Sequence, residues 1–173
     1  MIYTDAQLAE IMKTARASSA VGENAILPRM LKKAIRKNWK VLDYGSGPEA
    51  MHTIDLRAHG YNVVAHDINP EKTKWHIDTL IHYRGWFDVV FASNVLNVQP
   101  TIEHVRDMVS EVDMLLKLNG VALFNYPVSP RKSDLVVSEV DAILVEKFRV
   151  VERIRKIGDW KIDTPVWECV KED

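Results

Sequence analysis

Gly45-Ser46-Gly47 is the segment of this chain whose residue types and spacing point most directly to chemistry. It follows the apolar stretch Val41-Leu42-Asp43-Tyr44 and leads into a helical pattern over residues 49–59. Glycines let the backbone turn tightly and approach a ligand with no Cβ in the way. The first turn of the helix that follows offers free amides. Twenty residues beyond Gly47 comes Asp67, at the end of a second apolar stretch over 62–66. A carboxylate there can accept both ribose hydroxyls of an adenosyl ligand. Two ligands compete for such a turn. Gly45-x-Gly47-x-x-Ala50 meets the dinucleotide pattern G-x-G-x-x-G/A. Asp43 argues against it, because a carboxylate two residues before the first glycine repels an anionic pyrophosphate. S-adenosylmethionine (SAM) brings an ammonium and a sulfonium instead, and an acid at 43 suits that charge, directly or through water.

These residues need a scaffold, and the pattern supplies one. Thr4-Asp-Ala-Gln7 fits a capping box. Leu8, Ile11, Met12 and Ala15 follow at helical spacing, so a first helix is expected to end near Ser18. A second is expected over 24–37, with Leu27, Met30, Leu31, Ala34 and Ile35 on one face and Pro28 in its first turn. Strands are expected at 41–44 and 62–66, with Gly60 closing the helix between them. Asn69-Pro70 suits the start of another short helix. The stretch 75–85 leaves room for only a reduced strand around 77–81. Residues 87–92 form a nearly continuous apolar strand, as in a parallel sheet buried on both faces. Thr101 caps a helix to about 118, Asn119-Gly120 ends it, and 121–124 is the next strand. A helix over 133–147 and an antiparallel pair, 148–157 with 165–170, complete the chain. The expectation is a doubly wound, Rossmann-like α/β fold with a mostly parallel sheet, an antiparallel C-terminal hairpin, two extra N-terminal helices and a third strand reduced or absent. Residues 1–38 are expected to form a helical lid and 39–173 one compact ligand-binding domain.

Val41-Leu-Asp43-Tyr-Gly45-Ser-Gly47, then Asp67, Phe87-Asp88-Val-Val and Leu118-Asn-Gly120 resemble the class I SAM-dependent methyltransferases. The likeness covers roughly residues 40–126 and extends to the C-terminal hairpin. A narrower likeness is to small methyltransferase-like proteins of phage genomes and DNA-phosphorothioation loci, through Thr14-Ala15-Arg16 and Val95-Leu96-Asn97-Val98. The resemblance implies SAM as cofactor, S-adenosylhomocysteine as product, and a ligand set of Asp43, Gly45, Ser46, Gly47, Asp67, Ile68, Ser93 and Asn94. It implies that Ile68 covers adenine and that Ser93 and Asn94 hold the methionine end. It also implies that Arg16 on the overlying helix pairs with the cofactor carboxylate, and that Asn94 and Tyr126 stand on the catalytic side. Glu49 occupies the family's third glycine position, and Asp78 is the nearest acid for the adenine edge. Three readings follow: a methyltransferase, a SAM-binding protein with other chemistry or a regulatory role, and, disfavoured by Asp43, a nicotinamide-dinucleotide enzyme.

Other chemistries fit poorly. The Asp/Asn/Ser-Pro-Pro-aromatic element of the DNA methyltransferases that act on the amino groups of adenine and cytosine is missing after residue 92, where the chain reads Ser93-Asn94-Val95-Leu96. One cysteine, Cys169, lies far from the turn, so neither a thiolate nucleophile there nor a disulfide framework is available. No His/Cys/Asp group has metal-ligand spacing. An apolar share of 47% supports a core, and no stretch is long and apolar enough for a membrane span, so a cytoplasmic protein without a membrane partner is expected. The net charge of −1 hides a local excess: Arg29, Lys32, Lys33, Arg36, Lys37 and Lys40 place six cations within twelve residues. With Arg131 and Lys132 near a strand end, they tilt the expected acceptor toward nucleic acid or a phosphorylated molecule.

Overall fold

The computed structural model describes residues 3–16, 25–71, 73–127 and 135–172, the side chains of 14–16 excepted. Its six-stranded sheet has the order β2-β1-β3-β4-β8-β5. The strands are β1 (Lys40–Tyr44), β2 (Asn62–His66), β3 (Phe87–Ala92), β4 (Leu116–Asn125), β5 (Val150–Arg153) and β8 (Val166–Val170). β2, β1, β3 and β4 run parallel, and β8 lies antiparallel between β4 and β5. A two-residue ribbon, β6 (Lys156–Ile157) with β7 (Trp160–Lys161), turns at Gly158. This is the expected doubly wound arrangement with its antiparallel end.

Alternation along the strands divides the core between two faces. Leu42, Val90, Ala92, Ala122 and Phe124 face α4 (Ile102–Leu115) and α5 (Val137–Lys147). Val41, Val63, Val89, Phe91 and Leu123 face α2 (Ile26–Ala34) and, through Leu56, α3 (Met51–Ala58). α2, expected in the lid, is therefore a sheet-covering helix, with Leu27 and Leu31 fully buried. α1 (Asp5–Arg16) lies apart from both layers; its capping box forms, Gln7 N–H donating to Thr4 Oγ1 and Thr4 N–H to Gln7 Oε1.

Three local expectations need correction. Among the described residues no helix follows Asn69-Pro70: Asp67 Oδ1 takes the Asn69 N–H and Pro48 O takes the Glu71 N–H, which fastens this segment to the glycine turn. The reduced third strand is a single parallel bridge at His76, flanked by bonds from Ala65 N–H to Trp75 O and from Ile77 N–H to Ala65 O. Residues 80–81, the end of that expected strand, belong to a 3₁₀ turn over Leu80–Tyr83. The helix from Thr101 stops at Leu115, because the Gly85 and Trp86 amides bind the Met114 and Leu115 carbonyls, and Asn119-Gly120 falls in an irregularity of β4.

The β2 edge has its own closure. Arg57 Nη1 donates to Val63 O at 2.7 Å, and its guanidinium lies 3.5 Å over the Trp75 ring. An exposed strand edge invites unwanted pairing, and this plug occupies the place of a neighbouring strand. Among the described residues no helix is long and apolar enough to cross a membrane.

Candidate active site

β1 lies between β2 and β3, so the chain leaves it to one side and returns on the other. Crevices at such switch points, at the strands' carboxyl ends, are where open α/β sheets bind ligands. A cavity of about 490 Å³ opens there, lined by Gly45, Ser46 and Gly47 after β1, Asp67 and Ile68 after β2, and Ser93 and Asn94 after β3. The volume is within the ordinary range for small-molecule sites.

The turn after β1 is held by backbone chemistry. Gly45 and Ser46 N–H both donate to His66 O, at 2.8 and 3.1 Å. Gly45 has φ +69°, and a Cβ there would meet Val95 Cγ2 at 2.6 Å. Gly47 has φ +74° with nothing within 4 Å of a Cβ, so its glycine serves conformation and leaves open space. Asp67 locks the two strand ends together: its Oδ2 accepts the Gly47 N–H and its Oδ1 the Asn69 N–H, each at 2.9 Å. Each carboxylate oxygen keeps a further lone pair for a ligand hydroxyl.

Asp43 is placed differently from the other turn residues. It is fully buried and is not part of the cavity lining; it lies on the α3 side, where Thr53 Oγ1 donates to Oδ2 at 3.0 Å and Oδ1 has no partner. Burial pushes its pKa up to about 7, against the Thr53 hydrogen bond and with help from the Asp67 charge. Tyr126 is also buried away from the cavity, its hydroxyl donating to Leu135 O. Asn94 lines the cavity in a left-handed conformation, φ +58°. It is clamped to Asn125, which accepts the Asn94 N–H at 2.8 Å and donates to Asn94 Oδ1 at 2.6 Å. Ser93 Oγ is buried without a partner. The Arg16 side chain, Arg131 and Lys132 lie outside the described residues.

Sequence reasoning missed several lining groups. Ile11 and Met12 roof the cavity from α1 and Tyr3 from the residues before it, where Tyr3 OH donates to Gln99 Oε1 at 2.8 Å. His52, Met51 and Glu71 line it near the start of α3. Ile11 and Met12 were legible as an apolar face; their target was not. An adjoining hollow of about 410 Å³ shares Tyr3, Tyr44, His66, Asp67 and Ile68 and adds Leu8, Pro70, Ile77, Asp78 and Glu111. Asp78 and Ile68 thus line the same hollow.

The cations of α2 and its C-terminal flank have partners within the protein. Lys32 pairs with Asp55 at 2.7 Å. Arg29 lies 4.1 Å and Lys33 5.6 Å from the Trp160 ring centre, and Lys37 lies over Tyr61. Lys40, over Trp86 at 3.4 Å, begins β1 and so stands at the end of the strand away from the cavity.

The fold is that of the class I SAM-dependent methyltransferases. No protein-family model matches the chain, and no curated protein sequence does. Solved structures do. The chain is similar to Burkholderia thailandensis 1,6-didemethyltoxoflavin-N1-methyltransferase, solved with 1,6-didemethyltoxoflavin and S-adenosylhomocysteine, at TM-score 0.67 and 16% identity over 100% of this chain and 92% of that one. It is similar to a TehB-like SAM-dependent methyltransferase from Corynebacterium glutamicum, at TM-score 0.64 and 16% identity over 97% and 95%. A third, a SAM-dependent methyltransferase from Methanosarcina mazei, matches at TM-score 0.58 and 14% identity over 83% and 96%. At such identities the likeness is one of fold.

Proposed function

We infer that the chain is a SAM-dependent methyltransferase. The observation that carries this reading is the cavity at three strand ends, with the Asp67 carboxylate in its lining held by the Gly47 N–H. The donor set suits the cofactor: Glu49, Asp67 and Glu71 surround a space that would receive an ammonium and a sulfonium, and the same carboxylates disfavour a pyrophosphate. Asp67 would hold the ribose hydroxyls, Ile68 would cover adenine with Asp78 at its edge, and the 45–47 backbone with Ser93 and Asn94 would hold the methionine end. Asp43 would act on the ammonium through space, from behind the wall.

When bound, the cofactor supplies a methyl group on sulfur: the acceptor's lone pair forms the new bond to that carbon, and the C–S pair returns to sulfur as a neutral thioether. The chain's own residues position and enclose. The Asn94–Asn125 clamp fixes the far wall, and α1 would exclude water as a lid. Alignment and water exclusion of this kind supply much of a group-transfer rate. The narrower phage-group likeness rests on the sequence of residues 14–16 and 95–98 alone. Glu49 in place of a glycine and the single-bridge third strand favour a second reading, a SAM-binding protein that does not transfer methyl; release of S-adenosylhomocysteine on an acceptor panel separates the two.

Calorimetry tests the cofactor. S-adenosylhomocysteine should bind the chain, NAD should not, and Asp67→Ala should weaken binding by about 1.5–3 kcal/mol, roughly tenfold to 150-fold, as for a hydrogen bond to a charged group. Absence of binding at millimolar ligand overturns the reading.

A further inference from the structure

We propose that Asn125 is a positioning residue: it turns the Asn94 amide so that its N–H pair, and not its carbonyl, is presented to the cavity, where it holds the carboxylate of the cofactor's methionine end. The proposal deepens the methyltransferase reading and rests on it for the name of the guest; the direction of the amide rests on the clamp alone.

A side-chain amide carries an acceptor at one end and two donors at the other, and the backbone here decides which end goes where. The Asn94 backbone N–H can only donate, so the Asn125 atom that receives it at 2.8 Å is the oxygen, Oδ1. Asn125 Nδ2 is then a donor, and the Asn94 atom it meets at 2.6 Å is the oxygen. Asn94 Nδ2 is left over, without a partner among the described residues, on a part-buried side chain that lines the cavity. Asn125 is 2% exposed and is not part of the lining, so it reaches a guest only through Asn94.

The backbone supports the same assignment. Asn94 has φ +58°. Asparagine is one of the few side chains that visits this region, and such a conformation persists where its surroundings over-determine it. Asn125 does so from the end of β4, 31 residues away, by two bonds at once.

The guest's group follows from the donor. Of the two charged groups at the methionine end, the ammonium has only hydrogens to give and the carboxylate only lone pairs, so an N–H pair fits the carboxylate. Among the described residues that line the cavity there is no lysine or arginine to take it. The Gln99 amide is spent, its Oε1 accepting the Tyr3 hydroxyl and its Nε2 donating to Val95 O. Glu49, Asp67 and Glu71 repel a carboxylate, which leaves the uncharged wall after β3 as its place.

Calorimetry with S-adenosylhomocysteine, and with methylthioadenosine, which lacks the amino-acid end, tests this. Asn94→Asp keeps both bonds of the clamp, because an oxygen still accepts from Asn125, and puts an anionic oxygen where the N–H pair was. It should weaken S-adenosylhomocysteine by about tenfold or more, the loss of a hydrogen bond to a charged group, and leave methylthioadenosine within about twofold. Asn125→Leu keeps the side chain's size and frees the Asn94 amide to turn. It should raise the ratio of the two dissociation constants by about threefold to tenfold, and added to Asn94→Ala it should change that ratio no further, as two residues acting through one contact require. Asn125→Ser gives the same reading should the leucine chain not fold. Unchanged or tighter S-adenosylhomocysteine binding in Asn94→Asp overturns the proposal, tighter binding placing the ammonium there instead. A folded Asn125 variant that weakens both ligands alike also overturns it, since a merely structural role does that. A wild-type chain that binds neither ligand overturns the cofactor reading itself, a failure distinct from either ratio.

Discussion

Asp43→Asn should stabilise the chain above pH 7 and leave it almost unchanged at pH 4. The carboxylate is fully buried, receives one hydrogen bond from Thr53, and has its other oxygen unpaired. Burial raises its pKa from 3.8 to about 7 in the folded chain. Between those values the folded state holds a proton that the unfolded chain has released. The unfolded state binds fewer protons there, so stability falls as pH rises through the window. At roughly 1.4 kcal/mol for each pH unit, the whole interval amounts to about 4 kcal/mol; structural relaxation makes that an upper limit, with about 2–4 kcal/mol expected. Above pH 7 both states are ionised and the deficit is constant. Below pH 4 both are protonated and it vanishes. Asparagine cannot titrate and keeps a carbonyl for the Thr53 hydroxyl. The assay is urea unfolding of both proteins from pH 4 to 8, read as the difference between them, so that groups common to both cancel. The variant's advantage should grow with pH and level off near 7. A difference that stays flat across the range, or shrinks as pH rises, refutes the argument that an uncompensated charge is buried at 43.

Other consequences are equally direct. Gly45→Ala should cost about 1–3 kcal/mol in urea unfolding, because its Cβ would overlap Val95 at a positive φ, and Val95→Ala in the same chain should recover part of the loss. Arg57→Ala should cost about 1–2 kcal/mol by losing the hydrogen bond to Val63 O and the Trp75 stack, and hydrogen exchange should rise first at Val63 and Ala65 if the plug guards that edge. Tyr3→Phe should lower S-adenosylhomocysteine affinity about twofold to tenfold in calorimetry while leaving the melting curve in place, since the lost hydroxyl bond closes the roof and lies outside both core layers; a large drop in stability with unchanged affinity would assign α1 to the core.

What the sequence disclosed was local. The 45–47 turn, Asp67, Ile68, Ser93 and Asn94 were legible because each sits at the end of an apolar stretch punctuated by Gly, Asp or Asn, and parallel strands bring such ends to one line. Asp43 was misread in its contact although the rule was available: alternation puts it on the face of Val41, under α3, and the turn begins only at Gly45. Tyr126 was lost to a carbonyl nine residues away, in a segment no periodicity describes. Tyr3 and Gln99 are 96 residues apart, and no pattern in either neighbourhood announces the bond. The cations of 29–40 looked like a phosphate track because aromatic partners come from distant positions, Trp160 on the β6–β7 ribbon for Arg29 and Trp86 before β3 for Lys40.

The shortened third strand and the acid-lined cavity belong to one design argument. A full strand and helix after β2 would carry the chain away from the sheet and bring it back. Here residues 67–71 and 73–77 instead fold down at once, onto the glycine turn through Glu71 N–H and onto β2 through the His76 bridge. That short path puts Asn69 and Glu71 in the lining of the cavity and leads to Asp78 in the lining of the adjoining hollow, so economy in the scaffold supplies acids to both. It also leaves β2 as an edge, which Arg57 and Trp75 must close. Ser46 Oγ lies 3.2 Å from His76 Nε2, and His76 Nδ1 lies 3.0 Å from Thr73 Oγ1, so the remnant of the third strand is tied directly to the ligand turn. The element that was trimmed therefore still positions the site, by side-chain hydrogen bonds where a longer strand would use its backbone.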